Sequence, residues 1–236
     1  MTPEQGYAAA RALHEDRLRQ GWRALGRKIG FTNRTLWPRY GVYEPMWGTV
    51  YDRTVLHAED NVCRVPLEAL LQPRIEPEIL FRLKAAPRSA RTDELVSCLD
   101  WAAHSIEIVQ CRQPGWKVTL AECAADNGLH GRLIIGAPIA VKDLPELEAK
   151  LPHTEARLFR GSVLVDRGRG ENVLGSPLAA LAHLVDLLAR QGAAPLAAGE
   201  IITTGTLTDA HPVAAGETWR TAIDGLPLQG LTVHFA

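Results

Sequence analysis

Glu76, Glu78 and Glu107 are the residues from which a chemistry can be built. The run Arg74-Ile75-Glu76-Pro77-Glu78-Ile79-Leu80-Phe81-Arg82-Leu83-Lys84 alternates as a β-strand does. Ile75, Pro77, Ile79, Phe81 and Leu83 then share a core face, and Glu76, Glu78 and Leu80 share the other. Two carboxylates on one strand face repel unless water, a cation or basic side chains lie between them. The pair is therefore either a solvated face or one side of a cation site. In Ser105-Ile106-Glu107-Ile108-Val109 the same alternation turns a third acid away from two isoleucines. Three such carboxylates can converge on one ion, and an all-oxygen set favours magnesium, manganese or calcium over zinc or copper. An octahedral ion held by three protein oxygens keeps three positions open, enough to take a 2-oxo acid through one carboxylate oxygen and the keto oxygen. A proton carrier is also needed. Lys28 is either an ordinary surface lysine or that carrier, with a pKa lowered by a neighbouring metal and by burial.

These side chains need elements to position them. Thr2-Pro3-Glu4-Gln5 is a capping box with proline in the first turn, and it predicts a helix ending near Gly21. Leu25 to Thr32, which holds Lys28 between glycines, reads as a short strand, and Thr32 to Pro45 as a short helix and a loop. Trp47 to Asp52 and Asn61 to Val65 read as strands leading to Arg74. Thr92 to Ala103 reads as a helix with Leu95, Val96, Leu99, Ala102 and Ala103 inward, and Val118 to Asn127 as another, stopped by Gly128. Arg132 to Gly136 is a strand, and Thr154 to Phe159 with Ser162 to Val165 form a hairpin turning at Arg160-Gly161. Ser176-Pro177 opens a helix that Gly192 closes, and Glu200 to Gly205, Glu217 to Ile223 and Leu231 to Phe235 are strands. Many strands with few helices between them predict an α+β fold on a strongly curved, mixed β-sheet with flanking helices. The expectation is a single catalytic domain over 1–236, with residues 1–50 as a candidate N-terminal helical lobe.

Composition narrows the function. The 236 residues are 46% apolar and 22% charged, and 26 basic residues against 27 acidic ones leave a net charge of −1. That charge provides no basic field for nucleic acid or an anionic membrane. No stretch approaches the roughly 20 apolar residues of a membrane helix, so a cytoplasmic location is expected. Cys63, Cys98, Cys111 and Cys123 show no Cys-x-x-Cys spacing, which argues against a zinc site or a disulfide framework. A small neutral or acidic ligand fits this charge better.

Gly26-Arg27-Lys28-Ile29-Gly30-Phe31-Thr32, Pro73-Arg74-Ile75-Glu76-Pro77-Glu78-Ile79, Ile106-Glu107-Ile108-Val109, Ala125-Asp126-Asn127 and Thr203-Thr204-Gly205-Thr206-Leu207, in this order, resemble the fumarylacetoacetate hydrolase superfamily. Within it they resemble the 2-oxopent-4-enoate hydratase and 4-oxalocrotonate decarboxylase branch. The resemblance spans nearly the whole chain, and its most specific part is the acid pair followed by a third acid about thirty residues on. It implies a mixed β-sheet roll, a magnesium or manganese ion on Glu76, Glu78 and Glu107, a homo-oligomer, and Lys28 as a proton-transfer group beside the substrate. Arg27 is then expected to neutralise charge from behind the site.

Two segments depart from the branch pattern. Gln110-Cys111-Arg112 stands where hydratases read Asp-Ser-Arg, and Gly128-Leu129-His130-Gly131 where they read Ala-Ser-Ser-Gly. His130 is thus either a proton donor or carboxylate binder, or a structural histidine. Asn127, Thr206 and Lys117 are candidate substrate contacts, with turn, cap or salt-bridge roles as alternatives, and Asp52 is a further catalytic candidate or a turn residue. The leading expectation is a metal-dependent lyase that hydrates a 2-hydroxy-2,4-dienoate or 2-oxo-4-enoate to a 4-hydroxy-2-oxo acid in aromatic-compound catabolism. Decarboxylation of a 2-oxo diacid or hydrolysis of an acylpyruvate on the same ion is the alternative. Hydrolysis is disfavoured because Asn33 to Glu44 contains no histidine. A partner subunit of a decarboxylase complex is the alternative of another class.

Overall fold

The computed structural model describes residues 1–236. Thr2 and Gln5 cap one another's backbone and open α1 (Pro3–Arg19). Next come β1 (Ala24–Gly30), the one-turn α2 (Trp37–Tyr40), β2 (Met46–Tyr51), β3 (Val55–His57), β4 (Val62–Val65) and β5 (Arg74–Leu83). The middle of the chain forms α3 (Thr92–Cys98), β6 (Leu99–Val109), α4 (Leu120–Ala125), β7 (His130–Ile135), β8 (Ile139–Ala140) and α5 (Leu147–Lys150). The remainder forms β9 (Glu155–Arg160), β10 (Val163–Arg169), α6 (Pro177–Arg190), β11 (Ile201–Thr203), β12 (His211–Pro212), β13 (Thr218–Asp224) and β14 (Thr232–Phe235).

Nine strands make one sheet in the order β2-β1-β11-β5-β6-β7-β3, with β12 beside β5 and β8 beside β6. The β1–β11 and β3–β7 pairs are parallel and the other pairs antiparallel, so the sheet is mixed. Five strands, β10-β9-β13-β14-β4, make a second sheet. Ile75, Ile106, Ile108 and Ile134 of the large sheet pack against Trp219, Val233 and Phe235 of the small one. Farther along β5, Ile79, Phe81 and Leu83 meet Leu178, Leu181, Leu184 and Leu188 of α6. On the opposite face Val50 of β2, Leu80 of β5, Ala103 of β6, Leu133 and Ile135 of β7 and Ile201 of β11 form one buried cluster. Strands from both ends of the order meet there, which requires the sheet to curl on itself. The inside of that curl is where Glu76, Glu78 and Lys28 point.

The architecture agrees with the expected α+β fold on a curved, mixed sheet, and two expectations are corrected. The helix predicted over Thr92–Ala103 stops at Cys98. From Leu99 onward the chain pairs along the whole length of β5, and those interstrand hydrogen bonds override the helical spacing of Leu99, Ala102 and Ala103. The first fifty residues do not stand apart as a helical lobe. They supply β1 and most of β2 to the large sheet, while α1 packs on α4. No helix is long and apolar enough to cross a membrane.

Candidate metal centre

The register of β5 and β6 sets Glu76 directly opposite Glu107 and Glu78 opposite Ser105. Facing carboxylates at such cross-strand positions destabilise a sheet unless positive charge lies between them. The other edge of β5 is covered by β11 at Leu80–Arg82 and by β12 at Arg74–Ile75, which leaves Pro77 in the gap between them. A residue without an N–H costs no ladder bond there. The chain from Thr204 to Ala210 crosses that gap, with the Leu207 N–H on the Pro77 carbonyl at 2.9 Å and the Gly205 N–H on Glu78 Oε2 at 2.9 Å. Gly205 has φ +97°, and a Cβ there would sit 1.8 Å from Thr32 Oγ1, so only glycine brings this N–H to Glu78.

Glu76, Glu78 and Glu107 each offer a carboxylate oxygen such that all three lie within 4.8 Å of one another. Glu78 and Glu107 are fully buried, whereas Glu76 borders a cavity. Glu107 is gripped from two sides: Oε1 accepts from His130 Nδ1 at 2.7 Å, and Lys28 Nζ stands 3.2 Å from Oε2 at ion-pair distance, without the alignment of a hydrogen bond. Lys28 Nζ donates to the Gly128 carbonyl at 2.8 Å. Burial pushes the Glu78 carboxyl well up, reinforced by the charges of Glu107 and Glu76. Burial likewise raises Glu76, to about 7, although Lys28 and Arg74 pull it down. Burial would also raise Glu107, but Lys28 and His130 outweigh it and hold that group below the usual range. Lys28 is raised, because the attraction of Glu107, Glu76 and Glu78 together exceeds the downward push of burial. The expected lowering assumes a neighbouring cation; set against the three carboxylates alone, the Lys28 amine is held as an ammonium.

Whether a cation fits can be tested on the unpaired atoms. Glu78 Oε1 and Glu107 Oε2 are buried and accept no hydrogen bond, and the hydroxyls of Ser105 and Thr203 are buried without partners. Ser105 lies opposite Glu78, and Thr203 pairs with Lys28 on one side and Leu80 on the other, so both belong to the same inner face. Buried carboxylate oxygens left unpaired are costly, and hard oxygen donors at this spacing suit magnesium, manganese or calcium. The residues present fit the ion.

Beside the centre lies a small cavity, partly open to solvent, whose lining includes Lys28, Glu76 and Thr206 together with Phe31, Leu36, Tyr40, Met46, Trp116 and Leu129. Not every candidate residue reaches it. Thr206 does, but its hydroxyl is tied to the Thr208 backbone. Asn127 is not free to bind substrate: its amide oxygen takes the Thr49 N–H at 2.8 Å and its nitrogen donates to the Thr49 carbonyl at 2.9 Å. Arg27, the residue before Lys28 on β1, pairs with Glu200 at 3.2 Å and borders a separate cleft with Tyr7, His14 and Trp47. Asp52 accepts from the Arg23 and Arg53 backbones and from Arg23 Nε, and so acts as a turn residue away from the cavity. Lys117 is exposed in an outer cleft with Arg39 and Arg74. His130 is buried with Nε2 at 2.8 Å from Thr54 Oγ1 and does not line the cavity, which favours the structural one of its two expected roles. Ser105, Thr203, Thr54 and the Gly205 N–H were not anticipated. Ser105 was legible from its i−2 relation to Glu107, while the others depend on strand neighbours distant in sequence.

No protein-family model matches the chain. Over 214 residues it is 35% identical to 2-keto-4-pentenoate hydratase 1 of Dechloromonas aromatica (strain RCB), covering 89% of this chain and 77% of that protein. Over 233 residues it is 33% identical to 2-hydroxyhexa-2,4-dienoate hydratase of Comamonas testosteroni, covering 96% of this chain and 84% of that one. The chain belongs to the fumarylacetoacetate hydrolase superfamily, in its hydratase and decarboxylase branch. Among solved structures of the superfamily, 4-oxalocrotonate decarboxylase from Pseudomonas putida G7, complexed with magnesium and adipate, superposes with a TM-score of 0.89 at 26% identity, covering 100% of this chain and 87% of that one. Fumarylpyruvate hydrolase from Pseudomonas aeruginosa, in complex with Mn2+ and pyruvate, shares the superfamily fold at a TM-score of 0.70 and 14% identity, covering 89% of this chain and 88% of that one.

Proposed function

We infer that the protein is a divalent-metal-dependent hydro-lyase that adds water to a 2-hydroxy-2,4-dienoate, or its 2-oxo-enoate tautomer, to give a 4-hydroxy-2-oxo acid. The observation that carries this reading is the trio of carboxylates with two unpaired buried oxygens, set beside Lys28 and a largely apolar cavity. Hydratase relatives at 33–35% identity over most of the chain support the reaction class. Glu76, Glu78 and Glu107 would hold magnesium or manganese. When bound, that ion supplies positive charge for the 2-oxo acid end and for the negative charge that develops there.

The chain's own groups handle the protons. Lys28, an ammonium fixed on the Gly128 carbonyl, faces the cavity and delivers a proton to the terminal carbon of the dienol as the 2-hydroxyl becomes a keto group. Its amine then takes a proton from the water whose oxygen adds at C4, and the proton given up by the 2-hydroxyl is returned through solvent to C3, so that the net change is the addition of one water. Phe31, Leu36, Met46 and Leu129 hold the carbon tail and keep bulk water from the conjugated system.

Decarboxylation of a 2-oxo diacid is the second reading. It is supported by the likeness to the decarboxylase over the entire chain, and by Arg74, which forms no ion pair and lies 4.4 Å from the ring centre of Trp116, a cavity wall residue. No histidine lines the cavity for the activated water that acylpyruvate hydrolysis requires. A panel of 2-oxo monoacids and diacids, with products analysed for hydration against carbon dioxide release, separates the readings. Turnover of dienoate monoacids without carbon dioxide supports the hydratase, and release of carbon dioxide from the diacid alone overturns it. The proposal includes assembly as a homo-oligomer, alone or beside a decarboxylase subunit, which sedimentation of the purified protein measures.

A further inference from the structure

His130 stands where the branch pattern has a small polar residue, and its ring bridges β6 and the turn after β2 without lining the substrate cavity. One nitrogen meets Glu107 Oε1 at 2.7 Å and the other meets Thr54 Oγ1 at 2.8 Å. Thr54 is itself fixed, because its hydroxyl donates to the Tyr51 carbonyl at 2.9 Å and accepts from the Tyr51 N–H at 3.3 Å. The turn after β2 thus holds the imidazole, and the imidazole holds the carboxylate.

The arrangement has a consequence for Glu107. Its side chain is fully buried and its two oxygens have two claimants: Oε1 is taken by His130, and Oε2 faces Lys28 at 3.2 Å with no aligned hydrogen bond. Without His130, Oε1 would be left buried and unpaired, and the carboxylate would relieve this by turning onto the ammonium, the only other donor in contact with it. That rotation would remove Oε2 from the ion and tie up Lys28 at the same time.

We propose that His130, anchored by Thr54, is a positioning residue that keeps Glu107 turned so that Oε2 is presented to the divalent ion and Lys28 stays free for the substrate. The proposal rests on the three-glutamate reading of the centre. Hydrogen-bonded supports of this kind raise metal affinity about 10–100-fold. The histidine couples the metal ligand to the turn that follows β2.

The test is Mn2+ binding to metal-stripped protein, followed by the electron paramagnetic resonance of the free ion, for wild type, His130→Ala, His130→Asn and Thr54→Val, with thermal unfolding of each ion-free variant. Asn can place its amide nitrogen where Nδ1 now donates, whereas Ala cannot. The expected result is affinity lowered about 10–100-fold in His130→Ala, within a few-fold of wild type in His130→Asn, and intermediate in Thr54→Val, with no parallel order in Tm. Equal affinity in wild type and His130→Ala overturns the proposal, as does an equal loss in the Ala and Asn variants that tracks their Tm. If wild type itself binds no Mn2+, the three-glutamate reading fails instead, so the two failures are distinguishable.

Discussion

At the scale of single residues, the three glutamates differ although their chemistry is the same. Glu107 is kept ionised by Lys28 and His130, while burial and mutual repulsion drive Glu78 well up and Glu76 to about 7. Near neutral pH the ion-free centre therefore carries bound protons that a cation must displace. Mg2+ binding at pH 7 is expected to release protons, read from titration calorimetry in buffers of different ionisation enthalpy. Because the raised carboxyls bind protons more readily as pH falls, affinity should weaken from pH 8 to pH 6. A binding enthalpy independent of buffer would contradict this. Lys28→Met should lower kcat by about 10²–10⁴-fold while leaving Mn2+ affinity equal or tighter, since the ammonium competes for Glu107. Loss of metal binding in that variant would show Lys28 to be part of the metal site's scaffold. The acid pair and Lys28 were readable because alternation and glycine framing are local signals. The grip on Glu107 was not, because Thr54, His130 and Lys28 come together only through the curl of the sheet.

At the scale of elements, the turn between α4 and β7 positions Lys28. Asn127, Gly128 and Leu129 all have positive φ, at 53°, 68° and 62°, and the Asn127 amide is locked to Thr49. A Cβ on Gly128 would lie 2.8 Å from Lys28 Cδ. Gly128→Ala is expected to cost about 1–2 kcal/mol in stability through backbone strain and to lower kcat more than metal affinity, measured by thermal unfolding and steady-state kinetics. Unchanged kcat would mean that Lys28 does not depend on this turn. The strand β6 carries a second constraint. His104 donates from Nδ1 to the Glu78 carbonyl and meets Thr221 of β13 with Nε2, joining the two sheets. Burial lowers it to about 4. Its unfolded pKa is near 6.5, so the unfolded chain binds the proton more readily. The stability that this group contributes is complete above that value and is lost as pH falls towards 4, about 3 kcal/mol in all. Denaturant unfolding of ion-free His104→Gln should show a shallower loss over that window. The boundary between α3 and β6 was misread for a related reason: Leu99, Ala102 and Ala103 fit a helical stripe locally, and only pairing with β5 makes them strand.

At the scale of the whole molecule, the curl of the nine-stranded sheet encloses the centre, and the second sheet closes one outer face with Trp219 and Phe235. The strand content and the curvature could be read from the sequence, largely through the family resemblance. The order of strands could not, because β11, which separates β1 from β5, arrives from the far end of the chain. A cation held by Glu76 and Glu107 would also relieve the repulsion between these facing carboxylates. Saturating Mg2+, at 100 times its Kd, should therefore stabilise the fold by about 2.7 kcal/mol and raise Tm by roughly 5–10 °C. Glu107→Ala should abolish that rise.

The most direct measurement is the decay of the ultraviolet absorbance of 2-hydroxypenta-2,4-dienoate with enzyme stripped of metal by a chelator. The expected result is no turnover until Mg2+ or Mn2+ is added, recovery of activity on addition, and no recovery in Glu78→Ala at any metal concentration. Full turnover by the stripped enzyme, or metal-restored turnover in Glu78→Ala at the wild-type rate, would contradict a centre built on these three carboxylates.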